Sequence, residues 1–241
     1  MLITKLCLTL IHFCITANRF VVSFIKRLET SWPVHIYNSF YIKNYPSKMN
    51  HAPEHLAIVV LEDSISFQKL SQIISWSGLA GIRYVTLFDP KGIIKRSKDE
   101  IEYQLRKRSL LSSSEKKVNF VFHTTTVQNK NGYDTNTTNV ILLSREDNQR
   151  KLVNVSRQLC DNTQHSEVNV EYIDALLKNV FQFPDPNVIF NFGNVSCLAG
   201  FLPWHIRLSE IISFDTMKNL DYSSFQSNLE KFHKIEKRFG K

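Results

Sequence analysis

The segment from His55 to Leu61, HLAIVVL, constrains the fold of this chain more than any other. A short unbroken apolar run with β-branched residues at Ile58, Val59 and Val60 is what a strand buried on both faces of a parallel sheet requires. The residues after it change period. Ile65, Leu70, Ile73, Ile74 and Leu79 fall near helical spacing, and Gly81 suits a helix C-terminus. Ile82 to Phe88 then returns to strand character, which completes a β-α-β unit.

The same alternation continues more weakly along the chain. Val118 to Thr124 and Asn139 to Leu143 read as strands, and Gln149 to Leu159 reads as a helix. A further helix presents Val170, Ile173, Leu177 and Val180 on its apolar face, and Pro184 and Pro186 end it. Asn187 to Phe192 gives another strand. A last helix, starting near Asp221, carries the stripe Phe225, Leu229 and Phe232. Gln128 to Thr138 is polar and turn-rich, a surface loop. The expected architecture is α/β, a mostly parallel central sheet surrounded by helices. Ligands of such sheets bind beyond the carboxyl ends of the strands, which directs attention to the residues after Leu61, Phe88 and Phe192.

A chain of 241 residues that is 43% hydrophobic can bury one sizeable core and still carry a tail or membrane segment. Its formal charge of +8 suits nucleic acid, an anionic lipid surface or a diphosphate. The positive charge is concentrated at Lys26 and Arg27, from Lys91 to Arg108, and from Lys231 to Lys241. Zinc-type spacing, a glycine-rich phosphate loop and interleaved aromatic and basic residues are all missing, which excludes nucleic acid as the expected partner. Of four cysteines, Cys7 and Cys14 lie in the apolar N-terminal segment while Cys160 and Cys197 are isolated, so no disulfide framework or metal site is expected. The sequons at Asn136, Asn154 and Asn194 matter only in a secretory lumen.

Leu6 to Ile25 reads LCLTLIHFCITANRFVVSFI, about the ~20 residues a helix needs to cross a bilayer. Asn18 and Arg19 interrupt it, and an arginine near a helix centre costs roughly 2.5 to 3.5 kcal/mol on insertion scales. Three readings remain open: a membrane anchor over residues 1–28, a cleaved signal peptide, and a buried or interfacial helix. If the segment spans, Lys26 and Arg27 outnumber Lys5 and put the downstream part in the cytosol. Residues 29–52 then form a linker to a folded domain over 53–241.

Four segments carry a family resemblance. PEHLAIVV at Pro53 to Val60 and GIRYVTLFD at Gly81 to Asp89 look like the first two strands of cis-prenyltransferases. FLPWHIRLSE at Phe201 to Glu210 looks like the late segment that helps form the family's dimer, and the terminal Arg238-Phe239-Gly240-Lys241 matches the Arg-x-Gly ending of the Nogo-B receptor branch. Taken in order, they identify the chain as similar to the Nogo-B receptor family, the non-catalytic partner subunits of the dolichol-forming cis-prenyltransferase. The resemblance implies a cis-prenyltransferase-like sheet with an apolar tunnel, a catalytic partner subunit, and an endoplasmic reticulum membrane with the folded domain in the cytosol.

Against the pattern of active members, two parts of the site are lost. Their first strand ends in Asp followed by Gly, Asn and Arg, whereas this chain reads Leu61-Glu62-Asp63-Ser64. Leucine cannot ligate magnesium, and a one-residue shift along a strand reverses a side chain, so Glu62 is not an equivalent replacement. Asp63 is read as the cap of the following helix. Where active members carry two arginines and a serine, Asn191, Cys197 and Ala199 stand, without the planar fork that binds phosphate bidentately. Glu210 is expected to pair with Arg207, Trp204 to pack at an interface or in the core, and His205 to be a hydrogen-bonded structural residue.

By resemblance, Arg238, Phe239 and Gly240 complete the partner's active site, with magnesium held mainly by that partner. Arg238 offers a fork to phosphate oxygens, and Gly240 allows backbone N–H groups close to a diphosphate. The implied activity is the elongation of farnesyl diphosphate with isopentenyl diphosphate for dolichol synthesis and protein glycosylation. Two other readings compete with it. A membrane receptor or scaffold would keep the fold for interaction alone and have no need of the tail, and an active homodimer is opposed by Leu61, Asn191 and Cys197.

Overall fold

The computed structural model describes residues 52–111, 118–124, 136–161 and 168–234. The chain divides into two compact units, and apart from Leu111 these residues belong to the one comprising Pro46–Leu110 and Glu115–Lys241. The N-terminal segment 1–28 and the terminal Arg238-Phe239-Gly240 lie outside them. Among the described residues no helix is long and apolar enough to cross a membrane.

Six parallel strands form one sheet in the order β3-β4-β2-β1-β5-β6. They are β1 His55–Val60, β2 Tyr84–Asp89, β3 Asn119–His123, β4 Thr137–Ser144, β5 Val188–Phe192 and β6 Glu210–Phe214. β1, the unbroken apolar run, is buried at every residue and pairs with β2 on one side and β5 on the other. Helices α1 Phe67–Ala80, α2 Ile93–Arg96, α3 Lys98–Leu111, α4 Arg145–Asp161, α5 Val170–Phe181 and α6 Tyr222–Lys234 connect or follow the strands. A short 3-10 helix, Met217–Asn219, precedes α6.

The register puts Ala57, Val59, Phe88, Ile141, Leu143 and Ile189 on one face, where Val155 of α4, Leu177 and Phe181 of α5, and Phe201 and Leu202 close over them. Fully burying each such side chain contributes about 1.5–3 kcal/mol, so this layer dominates the stability of that half. The other face carries Phe190 and Phe192, and α1 and α6 meet there. Phe225 lies 5.8 Å from Phe190 and 5.5 Å from Trp76, ring centre to ring centre.

The helix ends follow from local chemistry. Gly81 adopts φ 89, its N–H reaching Gly78 O while Ile82 N–H reaches Ser77 O, a left-handed stop that suits glycine. The start of α1 corrects the reading of Asp63. Ser66 is the cap, accepting from Lys69 N–H at 3.3 Å, while Asp63 is exposed and pairs loosely with Lys91 at 3.8 Å. Three residues too far upstream, Asp63 cannot reach the first-turn N–H groups.

Other elements depart from expectation. α4 begins at Arg145 rather than Gln149, because Ser144 and Asp147 form a reciprocal cap: Asp147 accepts from Ser144 N–H at 2.9 Å and from its hydroxyl at 2.7 Å. β4 starts at Thr137, inside the segment read as loop. Val170, placed on the buried face of α5, is 58% exposed. β6 and α3 were not anticipated at all.

Candidate functional site

Connections from β1 run to opposite sides: β2 pairs on one flank, and β5 arrives on the other after the chain has passed through β3 and β4. A crevice at the carboxyl ends of β1 and β5 is where such a sheet binds ligands. Leu61 and Gly193 stand at its rim, both half-buried. Leu61 N–H donates to Phe192 O at 2.7 Å, so strand pairing continues past the end of β1. Gly193 follows at φ 143, and a Cβ on it would stand 3.0 Å from Leu61 Cβ and 3.2 Å from the Leu61 carbonyl carbon. Glycine lets the β5 backbone pass this close to Leu61.

The acidic residues beside Leu61 are committed elsewhere or exposed. Glu62 Oε1 accepts from the Thr216 hydroxyl and from Met217 N–H at 3.2 Å, which fastens the end of β1 to the 3-10 helix. Asp89, at the end of β2, is buried and accepts from Ile93 and Ile94 N–H at 2.8 and 2.9 Å. Among the described residues no three His, Cys, Asp or Glu side chains converge to hold a metal ion. Leu61, the engaged Glu62 and the outward Asp63 do not fit a magnesium site.

Asn191 is 1% exposed and lies on the face of Val59, two residues before Leu61 on the neighbouring strand. Its Nδ2 is 3.5 Å from Val195 O and its Oδ1 has no hydrogen-bond partner among the described residues. Cys197 is an exposed free thiol, as is Cys160, and Ala199 adopts φ 47. The structure therefore groups Leu61 and Asn191 at the ends of β1 and β5 and leaves Cys197 in the exposed loop beyond them. No cation from these positions is available to hold a phosphate.

Two titrating groups lie behind the crevice. Lys151 sits 4.3 Å above the Phe181 ring, and burial pushes its ammonium down to about 8. Burial works against the Asp147 carboxylate, but hydrogen bonds from Lys95 and Ser144 prevail and hold its pKa below the ordinary carboxylate range. At the amino end of β1, His55 is wholly buried, and desolvation lowers its pKa to about 4. The neutral ring donates from Nδ1 to Pro184 O at 2.6 Å and accepts at Nε2 from the Thr86 hydroxyl at 2.8 Å.

The far edge of the sheet, beyond β5, contrasts with these buried groups. β6 is an edge strand, and Ile211 is 47% exposed on the face that α4 and α5 cover elsewhere. The preceding turn exposes Trp204 and Leu208 while burying Phe201, Leu202 and His205. Trp204 is thus a surface residue, its Nε1 donating to Asp174 at 3.2 Å, and His205 is the structural, hydrogen-bonded residue expected, 2.7 Å from Asp185. Glu210 forms no ion pair with Arg207 in the described structure; it starts the edge strand instead, its N–H donating to Asn187 O. Leu208, Ile211 and Asp185 were missed; adjacent isoleucines beside a serine give no alternation to read.

The fold and the site define an α/β protein with a six-stranded parallel sheet whose β1–β5 crevice carries Leu61 and Asn191, neither of them a metal ligand or a cation. The solved structures agree on the fold: a probable undecaprenyl diphosphate synthase from Campylobacter jejuni matches 80% of this chain and 100% of its own, at 18% identity and TM-score 0.50. Lavandulyl diphosphate synthase from Lavandula x intermedia matches with the same TM-score at 16% identity, over 79% and 99% of the two chains. No family model matches. The chain is 31% identical over 204 residues to the human dehydrodolichyl diphosphate synthase complex subunit NUS1, covering 78% of this chain and 67% of that one. It is 30% identical to the mouse subunit, spanning 66% of that protein's length, and 25% identical to the Schizosaccharomyces pombe subunit over 83% and 81% of the two chains. The chain belongs to this family, the NUS1 or Nogo-B receptor family.

Proposed function

We propose that this chain is the accessory subunit of a heteromeric cis-prenyltransferase, working with a catalytic subunit that elongates farnesyl diphosphate with isopentenyl diphosphate to a long polyprenyl diphosphate for dolichol synthesis. The observation that carries the reading is that the β1–β5 crevice presents Leu61 and the buried Asn191 where a metal-binding carboxylate and an arginine would be needed. A chain of this family that cannot hold either diphosphate contributes by assembling. Magnesium, which neutralises a leaving diphosphate, is assigned to the partner because Leu61, Glu62 and Asp63 do not fit it.

The surface offered to the partner is the β6 edge with its turn, where Trp204, Leu208 and Ile211 are exposed beside unpaired strand groups. The tail is assigned to the partner's active site. α6 is anchored by Phe225 and Leu229, and the seven residues from Ile235 to Lys241 span up to about 25 Å when extended. Arg238 would bind a diphosphate oxygen, Phe239 would pack beside it, and the backbone around Gly240 would donate to another oxygen. The N-terminal segment anchors the complex in the endoplasmic reticulum membrane with the folded domain in the cytosol, a topology that protease protection in intact microsomes checks.

Steady-state kinetics on co-purified complexes test the tail. Losing a charged hydrogen bond costs about 1.5–3 kcal/mol, so Arg238→Ala should reduce turnover or apparent affinity for isopentenyl diphosphate roughly ten- to over a hundredfold while assembly persists. Unchanged kinetics for Arg238→Ala and for removal of residues 238–241 would leave the receptor or scaffold reading in its place.

A further inference from the structure

The turn that carries Trp204 and Leu208 holds a backbone its residues do not favour. Ala199 at φ 47 and Leu202 at φ 32 both lie in the left-handed region, where a Cβ crowds the carbonyl. Residues in such conformations persist when their surroundings fix them. Part of the restraint is apolar, since Phe201 and Leu202 are buried and Phe201 lies 5.2 Å from Phe88. Polar restraints join it. Backbone turns link Phe201 N–H to Leu198 O, His205 N–H to Leu202 O and Ser209 N–H to Ile206 O, and Asn148 Nδ2 donates to Gly200 O at 3.3 Å. The Ser209 hydroxyl donates to Pro186 O at 2.6 Å, the Trp204 indole reaches Asp174 on the surface, and His205 meets Asp185 at 2.7 Å.

Among the turn's own polar side chains His205 stands apart because it is buried inside the turn. It is 3% exposed, its ring stands edge-on to Phe181 at 4.6 Å, and Nε2 has no hydrogen-bond partner. Asp185 therefore provides the imidazole's only hydrogen bond among the described residues, and its own side chain is half in solvent. Asp185 follows Pro184, whose carbonyl is held by His55 of the central strand. A chain of contacts thus runs from the rigid core of the sheet through Pro184 and Asp185 to His205, one residue after Trp204.

We propose that the His205–Asp185 pair is a latch that positions the 198–209 turn for docking on the catalytic subunit, so that His205 and Asp185 are positioning residues for assembly. This rests on the assembly reading above and adds to it which residues set the shape of the docking surface. His205→Phe keeps the ring and its packing on Phe181 and leaves only the half-exposed Asp185 without a partner. His205→Asn places an amide N–H where Nδ1 stands and keeps the bond.

The test uses the full chain in detergent with the catalytic cis-prenyltransferase subunit, and two readouts. Hydrogen exchange of the isolated chain should show amides of residues 198–209 exchanging at least about tenfold faster in His205→Phe, with β1 and β5 unchanged, and near wild-type protection in His205→Asn. Affinity for the catalytic subunit should fall at least about tenfold in His205→Phe and recover in His205→Asn. Asp185→Ala should lose at least as much as His205→Phe, because it leaves the buried imidazole unpaired, and the double variant should be no worse than Asp185→Ala. Wild-type protection and affinity in His205→Phe would overturn the latch. If the wild-type chain itself failed to bind the catalytic subunit, the assembly reading would fall while the exchange data still decided whether the latch exists.

Discussion

The crevice between β1 and β5 and the edge at β6 are built from neighbouring strands of one sheet, yet they have opposite characters. At the crevice Leu61 N–H pairs with Phe192 O, Gly193 lies against Leu61 and Glu62 accepts from the first N–H of the 3-10 helix, while Asp63 and residues 194–197 are exposed. At the edge, Ile211, Leu208 and Trp204 are exposed apolar side chains. Leu61 and Asn191 offer neither a metal ligand nor a cation. An edge that stays apolar and open is a liability unless something covers it. The difference teaches that at these positions the crevice carries no side chain suited to a metal or a phosphate, while the edge keeps an apolar surface.

The largest effect expected bears on His55, which ties the central strand to the Pro184 loop feeding the edge. Its folded pKa, about 4, lies below the ordinary 6.5, so the unfolded chain binds the proton more readily between these values. Its contribution is fully present above about pH 6.5 and is lost as pH falls through that window toward 4, roughly 3 kcal/mol in all. Denaturant melts at stepped pH measure it, and the fall should be absent from this window in His55→Gln if the variant folds. A wild-type stability flat from pH 6.5 to 4 would show that His55 is not held neutral by burial.

Next come the exposed edge residues. Leu208→Ser with Ile211→Ser should weaken binding to a catalytic subunit about a hundredfold, as apolar residues at an interface centre do, and leave the melting temperature of the chain alone unchanged. The crevice should answer in the reverse sense. Gly193→Ala should destabilise the fold by about 1–3 kcal/mol through its positive φ and the contact with Leu61, with little change in partner affinity. If the crevice variant hurt assembly and the edge variant hurt folding, the assignments of the two regions would be exchanged. The smallest effect belongs to Asp63, exposed and loosely paired, where Asp63→Ala should alter stability by less than about 0.5 kcal/mol in thermal melts.

How much of this was legible in the sequence differed between the two regions for a physical reason. β1 and β5 are buried on both faces, and burial writes itself as largely apolar runs, HLAIVVL and VIFNF, the second broken only by Asn191. Leu61 and Asn191 stood out against the resemblance, but the close approach of Gly193 to Leu61 did not, since it depends on two strands meeting. β6 hides because its burial alternates while its residue types do not: the outward positions hold Ile211 and Ser213 and the inward ones Glu210, Ile212 and Phe214, so EIISF shows no apolar and polar period. α3 hides for another reason: its charges form an i,i+4 series, Lys98–Glu102 and Glu102–Arg106, that a count of basic residues passes over. Ser66 took the cap from Asp63 because a cap must stand next to the first turn.

Central to the proposed function is that this chain does not catalyse elongation by itself and works by completing a partner. Prenyltransferase assays with isopentenyl and farnesyl diphosphate on the full chain alone, a catalytic cis-prenyltransferase subunit alone, and the two co-purified test it most directly. No turnover by this chain, little by the catalytic subunit and a large increase for the complex is the expected result, with Leu61→Asp failing to confer activity on the chain alone. Robust magnesium-dependent elongation by the purified chain by itself would contradict the account.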